Sequence, residues 1–313
     1  MLGSTANGLF WMFRQLERSE NTARLIETGF RMALTRQASG QNEWASVVRT
    51  AGCEAAFQDR HNAFNAENVI DFLLRDPGNP GSVLSLFKAA RTNARSVRTA
   101  LTREVWESTN EAWLALQELL AQPVDMSELP NVLGAIRKSS ALVRGAWHGT
   151  ALRNDVFLFA RLGTRIERAD NTARILDVKY FVLLPSSAAV GSSLDNVQWE
   201  TILRSASAAR AFNLLYGGET SPSKIAEFLI FNQQLPRSLL YCCWDSVRIL
   251  DDLSRMYGEP NTAQSLARPL LESLQAEEIN SIFKSGLHEF LGEFINKNNA
   301  IGRQIEIDFR FNE

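Results

Sequence analysis

Phe10, Phe13, Glu17, Asn21 and Arg24 fall along one stripe of a helix when each residue turns by about 100°. Glu17, Asn21 and Arg24 alone lie within about 60° of one another. A stripe that begins with two phenylalanines faces the interior, so the charged trio is expected to be at least partly buried. Thr5 or Asn7 can cap the helix that carries it, which runs to about Thr35 with Gly40 beyond its end.

The rest of the chain reads as helix after helix. A second element is predicted from Asn42 to His61 and a short one from Asn65 to Leu74, stopped by the Asp76-Pro-Gly-Asn-Pro-Gly81 breaker. Ser82 caps a helix to about Thr102, another runs to Ala121, and a third covers Asn131 to Thr150 after the Pro123–Pro130 connection. A long helix spans Asp155 to Leu183. Further helices are predicted at Val197–Tyr216, Ser221–Asn232, Arg237–Met256, Thr262–Ala276 and Ile279–Asn298. At the C-terminus Ile305, Ile307, Phe309 and Phe311 alternate with polar residues, the period of a strand. The expected fold is all-α, a multi-helix bundle with a short C-terminal β-like segment, packed within the protein or onto a second copy. Addition to the edge of a partner's sheet is the alternative for that segment.

The charged stripe occurs twice. Leu16-Glu-Arg-Ser-Glu-Asn-Thr-Ala-Arg-Leu-Ile-Glu27 returns as Ile166-Glu-Arg-Ala-Asp-Asn-Thr-Ala-Arg-Ile-Leu-Asp177. Glu17/Glu167, Arg18/Arg168, Asn21/Asn171 and Arg24/Arg174 are identical pairs. Trp44 through Phe57 aligns with Trp199 through Phe212, bringing Arg49 and Arg204 into register. Val69-Ile-Asp-Phe-Leu-Leu aligns more weakly with Ile225-Ala-Glu-Phe-Leu-Ile, followed by Pro80-Gly-Ser and Pro236-Arg-Ser. Three matches in one order imply an internal duplication, with units of about 5–121 and 155–258 inside a single 1–313 domain and additional helices and tail over 262–313. The five residues by which the offset grows are expected in the loop-like stretch 185–193. Ala160 and Gly163 take the places of Phe10 and Phe13. The two long helices are therefore expected to cross there, large side chains against small.

Composition narrows the functional classes. The 313 residues carry a formal charge of −2, which gives no footprint for nucleic acid or an anionic membrane. No apolar run approaches the roughly 20 residues of a membrane span, and no signal peptide is apparent. Three cysteines, Cys53, Cys242 and Cys243, offer neither a structural bridge nor a Cys-x-x-Cys site, so a reduced, cytoplasmic protein is expected. The histidines are scattered, and neither a metal site, a phosphate loop nor any other cofactor motif is expected; a nucleotide, if used, belongs to a partner. Trp44 and Trp199 are expected to be core anchors, with Arg49 and Arg204 as secondary members of the charged cluster.

Two readings of that cluster stand side by side. In one, the acids of each half pair with arginines of the same or the other half and lock the halves in register. In the other, the clusters line a polar cavity for an anionic or peptide-like ligand, which arginine suits through its two-pronged geometry. An acid or base role for Glu17 or Glu167 in amide chemistry is a further alternative, and a purely structural bundle another.

Leu16-Glu-Arg-Ser-Glu-Asn-Thr-Ala-Arg and Ile166-Glu-Arg-Ala-Asp-Asn-Thr-Ala-Arg resemble the Glu-Arg signature of the bacterial Alpha-E family, a helical domain of unknown function. The opening Met1-Leu-Gly-Ser-Thr-Ala-Asn-Gly-Leu-Phe-Trp and Leu176-Asp-Val-Lys-Tyr are similar to it as well. Arg14 stands where the family pattern leads one to expect it, whereas Thr164 holds the matching place beside Arg165, so the two sites are expected to be unequal. The resemblance implies association with circularly permuted ATP-grasp ligases and transglutaminase-like proteins in peptide synthesis or modification. It implies no settled reaction for the domain itself.

Overall fold

In the computed structural model, residues 1–35, 41–183 and 193–312 are described, and they are all-helical. The first half runs α1 (Gly3–Thr35), α2 (Gln41–Thr50), α3 (Glu54–Gln58), α4 (Ala66–Leu74), α5 (Val83–Ser96), α6 (Arg103–Leu119) and α7 (Leu129–Thr150). The second runs α8 (Asp155–Leu183), α9 (Ser193–Ser205), α10 (Ala209–Tyr216), α11 (Pro222–Phe231), α12 (Leu239–Tyr257), α13 (Thr262–Ala276), α14 (Ile279–Ser285) and α15 (Leu287–Asp308). The first helix ends at Thr35, as expected; Gly40 and the expected loop over residues 185–193, except Ser193, which opens α9, lie outside the described residues.

With α14 set aside, the halves follow the same plan helix for helix. The long α1 packs on α5 and α7 as α8 packs on α12 and α15, and α1 and α8 pack on each other. Asn65 and Ser221 cap α4 and α11, and Ser82 and Ser238 cap α5 and α12, each side chain accepting from the backbone N–H three residues on. Ser140 of α7 donates to the Leu16 carbonyl at 3.2 Å, and Asn298 of α15 donates to that of Ile166 at 2.9 Å. α7 and α15 thus carry the correspondence past the two units expected from the sequence.

Several predicted helices are broken. The 42–61 element divides after Thr50, and the 197–216 element divides after Ser205. Both breaks turn on a left-handed residue at the same place, Gly52 (φ 72°) and Ser207 (φ 53°). The 279–298 element is divided at Gly286 and continues to Asp308. That continuation replaces the predicted strand: Ile305 and Ile307 are helical, and only a turn follows. The apparent alternation came from aromatic packing. Phe311 is buried and lies 5.4 Å from Phe10, while Phe309 meets Phe159 edge-on at 4.8 Å. The tail is part of the core around the α1–α8 crossing.

That crossing is tightest at Gly163, where an added Cβ would lie 2.3 Å from the Phe10 carbonyl oxygen. The expected partner, Phe13, packs instead on Trp147 at 5.1 Å. Backbone meets backbone at Gly163, so neither side can yield by rotating a side chain. Gly163→Ala is expected to cost about 1–3 kcal/mol or more by forcing the two long helices apart, read as a lower urea midpoint with unchanged helical content. A neutral result would place the crossing elsewhere. Trp44 and Trp199 are buried, as core anchors. No described helix is long and apolar enough to cross a membrane.

Candidate functional site

Each copy of the repeated segment completes the other. Arg168 grips Glu17 with two hydrogen bonds, Nε to Oε1 at 2.9 Å and Nη2 to Oε2 at 2.7 Å. Arg18 grips Glu167 in the same way at 2.6 and 2.8 Å. The i, i+1 spacing of Glu and Arg on two crossing helices produces this exchange, because each acid faces the crossing and each arginine reaches across it.

Around these two forks the surroundings differ. Glu17 also takes Arg237 Nη1 at 3.1 Å, and Arg144 Nη1 stands 3.3 Å away, off the line of a hydrogen bond. Glu20, one turn on, accepts from Arg24 and from Arg237 Nη2 at 2.7 Å, and also pairs with Arg144. Four guanidiniums thus close over two carboxylates. Glu167 takes Arg14 at 3.1 Å besides Arg18, and Asp170 takes Arg174 at 2.6 Å. Here three guanidiniums serve two carboxylates.

The structural plan explains where each arginine comes from. Arg14 faces Gly302, whose added Cβ would meet its guanidinium at 3.3 Å. Gly302 lies four residues after Asn298, as Arg144 lies four residues after Ser140. Each acid therefore receives a guanidinium from this direction, through Arg14 of α1 on one side and Arg144 of α7 on the other. Arg24 donates to the Ser205 carbonyl that ends α9, and Arg174 donates to the Thr50 carbonyl that ends α2. Both secure the last turn of a helix in the opposite half.

Burial and charge oppose each other at the acids. Burial alone raises the Glu17 carboxyl, but Arg168, Arg237 and Arg144 outweigh it and hold the group well below the ordinary carboxylate value. Glu20 and Glu167 are lowered by the same contest, with Arg144, Arg237 and Arg24 acting on the first and Arg18 and Arg14 on the second. Arg237 is drawn down to about 10, chiefly by burial.

A cavity of about 530 Å³ opens beside Glu167 and Asp170, walled by α1, α8 and the Asn79–Gly81 turn. Arg18 stands on its wall with 40 % of its side chain exposed, so the cavity reaches solvent. Asn21 and Asn171, each 3 % exposed, line it too. Both polar atoms of the Asn21 amide and the Asn171 Nδ2 find no partner among the described residues. An unpaired buried amide group costs about 1–3 kcal/mol, so its appearance at the same position of both repeats calls for a function. Cys53 is also on this wall, but burial pushes its thiol up to about 11, so it is no thiolate nucleophile at neutral pH.

Of the residues singled out in the sequence, Glu17, Arg18, Asn21, Arg24, Glu167, Arg168, Asn171, Arg174 and Arg14 come together at the crossing. Arg49 and Arg204 pair with Glu54 and Glu200 at half-exposed positions and do not join the network. Glu20 and Asp170 were missed although they sit inside the repeat, and Arg144 and Arg237 were missed because they come from elsewhere, α7 and the turn before α12. The Pro80-Gly-Ser and Pro236-Arg-Ser match held the one signal for Arg237. A further acid, Asp245 of α12, is fully buried and held by Arg161 at 2.5 Å and Arg165 at 2.6 Å, an anchor that no repeat announced.

The comparisons with known proteins agree with the helical architecture. The chain is 24 % identical to the uncharacterized proteins Mb2597 of Mycobacterium bovis (strain ATCC BAA-935 / AF2122/97) and MT2643 of Mycobacterium tuberculosis (strain CDC 1551 / Oshkosh), across 92 % of its own residues. It spans about a third of the length of these relatives, 34 %. No solved structure matches. A family model, described as a predicted alpha-helical domain with a conserved ER motif, matches residues 1–309, and Glu17-Arg18 and Glu167-Arg168, which exchange across the crossing, are the two Glu-Arg pairs in the sequence. The chain belongs to the Alpha-E family.

Proposed function

We propose that this protein is an accessory, binding component of a peptide-synthesis or peptide-modification system, working with an ATP-grasp-type ligase or a transglutaminase-like protein. In this reading the cavity beside Glu167 holds the peptide-like ligand. The observation that carries it is the buried amide of Asn21, with neither polar atom paired, together with the unpaired Nδ2 of Asn171 on the same cavity wall. A carboxamide offers both a donor and an acceptor, the complement of a peptide group. The volume of about 530 Å³ is of the size that takes one or two amino-acid residues.

The alternative of an enzyme with Glu17 or Glu167 as acid or base finds less support. Both carboxyls are held in the ionised form by guanidiniums, whereas a working acid or base has a value near the operating pH. The reading predicts saturable binding of the neutral capped dipeptide N-acetyl-alanyl-alaninamide by calorimetry. Asn21→Ala/Asn171→Ala is expected to weaken that binding at least tenfold while the melting temperature holds or rises, since three unpaired buried polar atoms disappear. An unchanged affinity removes the cavity from the reading, and a pull-down that recovers no ligase or transglutaminase-like protein removes the partner.

A further inference from the structure

Arg237 and Gly81 occupy equivalent places. Each precedes the serine that caps the fifth helix of its half, Ser238 for α12 and Ser82 for α5, and each follows a proline. In the second half the Arg237 guanidinium bridges Glu17 and Glu20, one nitrogen to each at 3.1 and 2.7 Å. The equivalent acids are Glu167 and Asp170 of α8, and Gly81 of the first half sends nothing between them. Gly81, Glu167 and Asp170 instead face the same open cavity. An added Cβ at Gly81 would meet only Asn79 Oδ1, at 3.2 Å, with open space beyond. The other guanidiniums have counterparts: Arg18 with Arg168, Arg174 with Arg24, and Arg14 with Arg144. Only the fourth cation lacks one.

From this we infer that the cavity receives a basic side chain of its ligand, a guanidinium above all, in the place that Arg237 fills in the other half. The inference rests on the reading of the cavity as a ligand site and names the class of ligand: a peptide or amino-acid derivative with an arginine-like end. The cation lies between Glu167 and Asp170, and the backbone amides of the ligand meet Asn21 and Asn171. The nearby Arg18 and Arg174 are no obstacle, because Arg237 stands among Arg24, Arg144 and Arg168 with two acids as its only counter-charges. Asp170 is one methylene shorter than Glu20, which leaves room for a chain entering from outside. The two independent observations, a vacant cation position defined by the protein's own second half and unpaired buried amides on the same wall, converge on one cavity.

Titration of the wild-type protein with N-acetyl-argininamide and with its neutral isostere N-acetyl-citrullinamide tests the charge directly. The arginine probe is expected to bind at least tenfold more tightly, and the preference should shrink at high salt. N-acetyl-lysinamide binding as tightly as the arginine probe would also support the cation, with an ammonium in the same place. Gly81→Arg is expected to fill the cavity, raise the melting temperature and abolish binding of the arginine probe. Asn79→Leu/Gly81→Arg, which copies Leu235-Pro236-Arg237, relieves the contact at Asn79 should the single variant fold poorly. Equal binding of the arginine and citrulline probes overturns the inference and leaves the cavity's peptide role standing. No saturable binding of either probe, or of the neutral dipeptide, overturns both.

Discussion

Glu17→Gln is expected to destabilise the protein by about 3–5 kcal/mol, and Glu167→Gln by clearly less. Glu17 has no exposed side-chain surface, and Arg144, Arg168 and Arg237 surround it; an amide in its place leaves three buried guanidiniums facing a neutral group. Repulsion among them and the lost hydrogen bonds act together. At Glu167 the principal partner, Arg18, is 40 % exposed and borders an open cavity, so it can turn to solvent when the acid is removed. Urea unfolding of the two variants measures the order. Equal losses, or a larger loss at Glu167, would refute the closed-against-open distinction on which the site assignment depends.

Acid is expected to unfold the protein in two stages. His148 lies where burial and then Arg153, Arg165 and Arg161 lower its affinity for a proton below the ordinary 6.5. Unfolded chains therefore bind that proton first, and stability begins to fall as the pH drops through about 6.5. The larger stage belongs to Glu17, Glu20 and Glu167, all lowered in the folded state from an ordinary 4.5. Their contribution is fully present above that value and is lost as pH falls through the folded-state values, because only the unfolded chain takes up protons in between. Asp177, raised by burial, acts in the opposite sense and softens the upper end of this stage. Melting temperatures between pH 8 and pH 3 at fixed ionic strength should stay level to about 7, slope gently to 5, and then drop steeply. In Glu17→Gln the last drop should be shallower. A level profile down to pH 3 would show that the network does not hold these carboxylates ionised.

Much of this was legible in the chain because helical periodicity and internal repetition are local signals. Phe10, Phe13, Glu17, Asn21 and Arg24 announced a buried charged stripe, and all five are buried. The breaks at Gly52 and Ser207 escaped because one left-handed residue interrupts a helix without disturbing its apolar pattern. The C-terminal alternation misled for a related reason. Phe309 and Phe311 are set by the aromatic cluster around Phe10 and Phe159, a tertiary demand that imitates a strand over so few residues. Arg144 reaches the acids from α7, and nothing in its own neighbourhood marks it as a partner; Arg237 reaches them from the turn before α12. Arg237 against Gly81 was visible as a mismatch in an otherwise matching tripeptide. Its meaning appeared only when the cavity was seen in the place of the missing side chain.

The exchange of partners between the halves also bears on how the chain is made. Glu17 waits for Arg168, 151 residues downstream, and for Arg237, 220 residues downstream. At roughly 5–20 residues per second, a ribosome needs on the order of 10–40 s to deliver the second of these. Until α8 is made, Glu17 has Arg144 of its native partners but neither Arg168 nor Arg237, and the part of the first helix that packs on α8 is uncovered. A helical protein of largely local contacts folds quickly, but this one defers its central contacts until both long helices and the turn that carries Arg237 have been made. The set of partners around Glu17 is therefore complete only after Arg237 has left the ribosome.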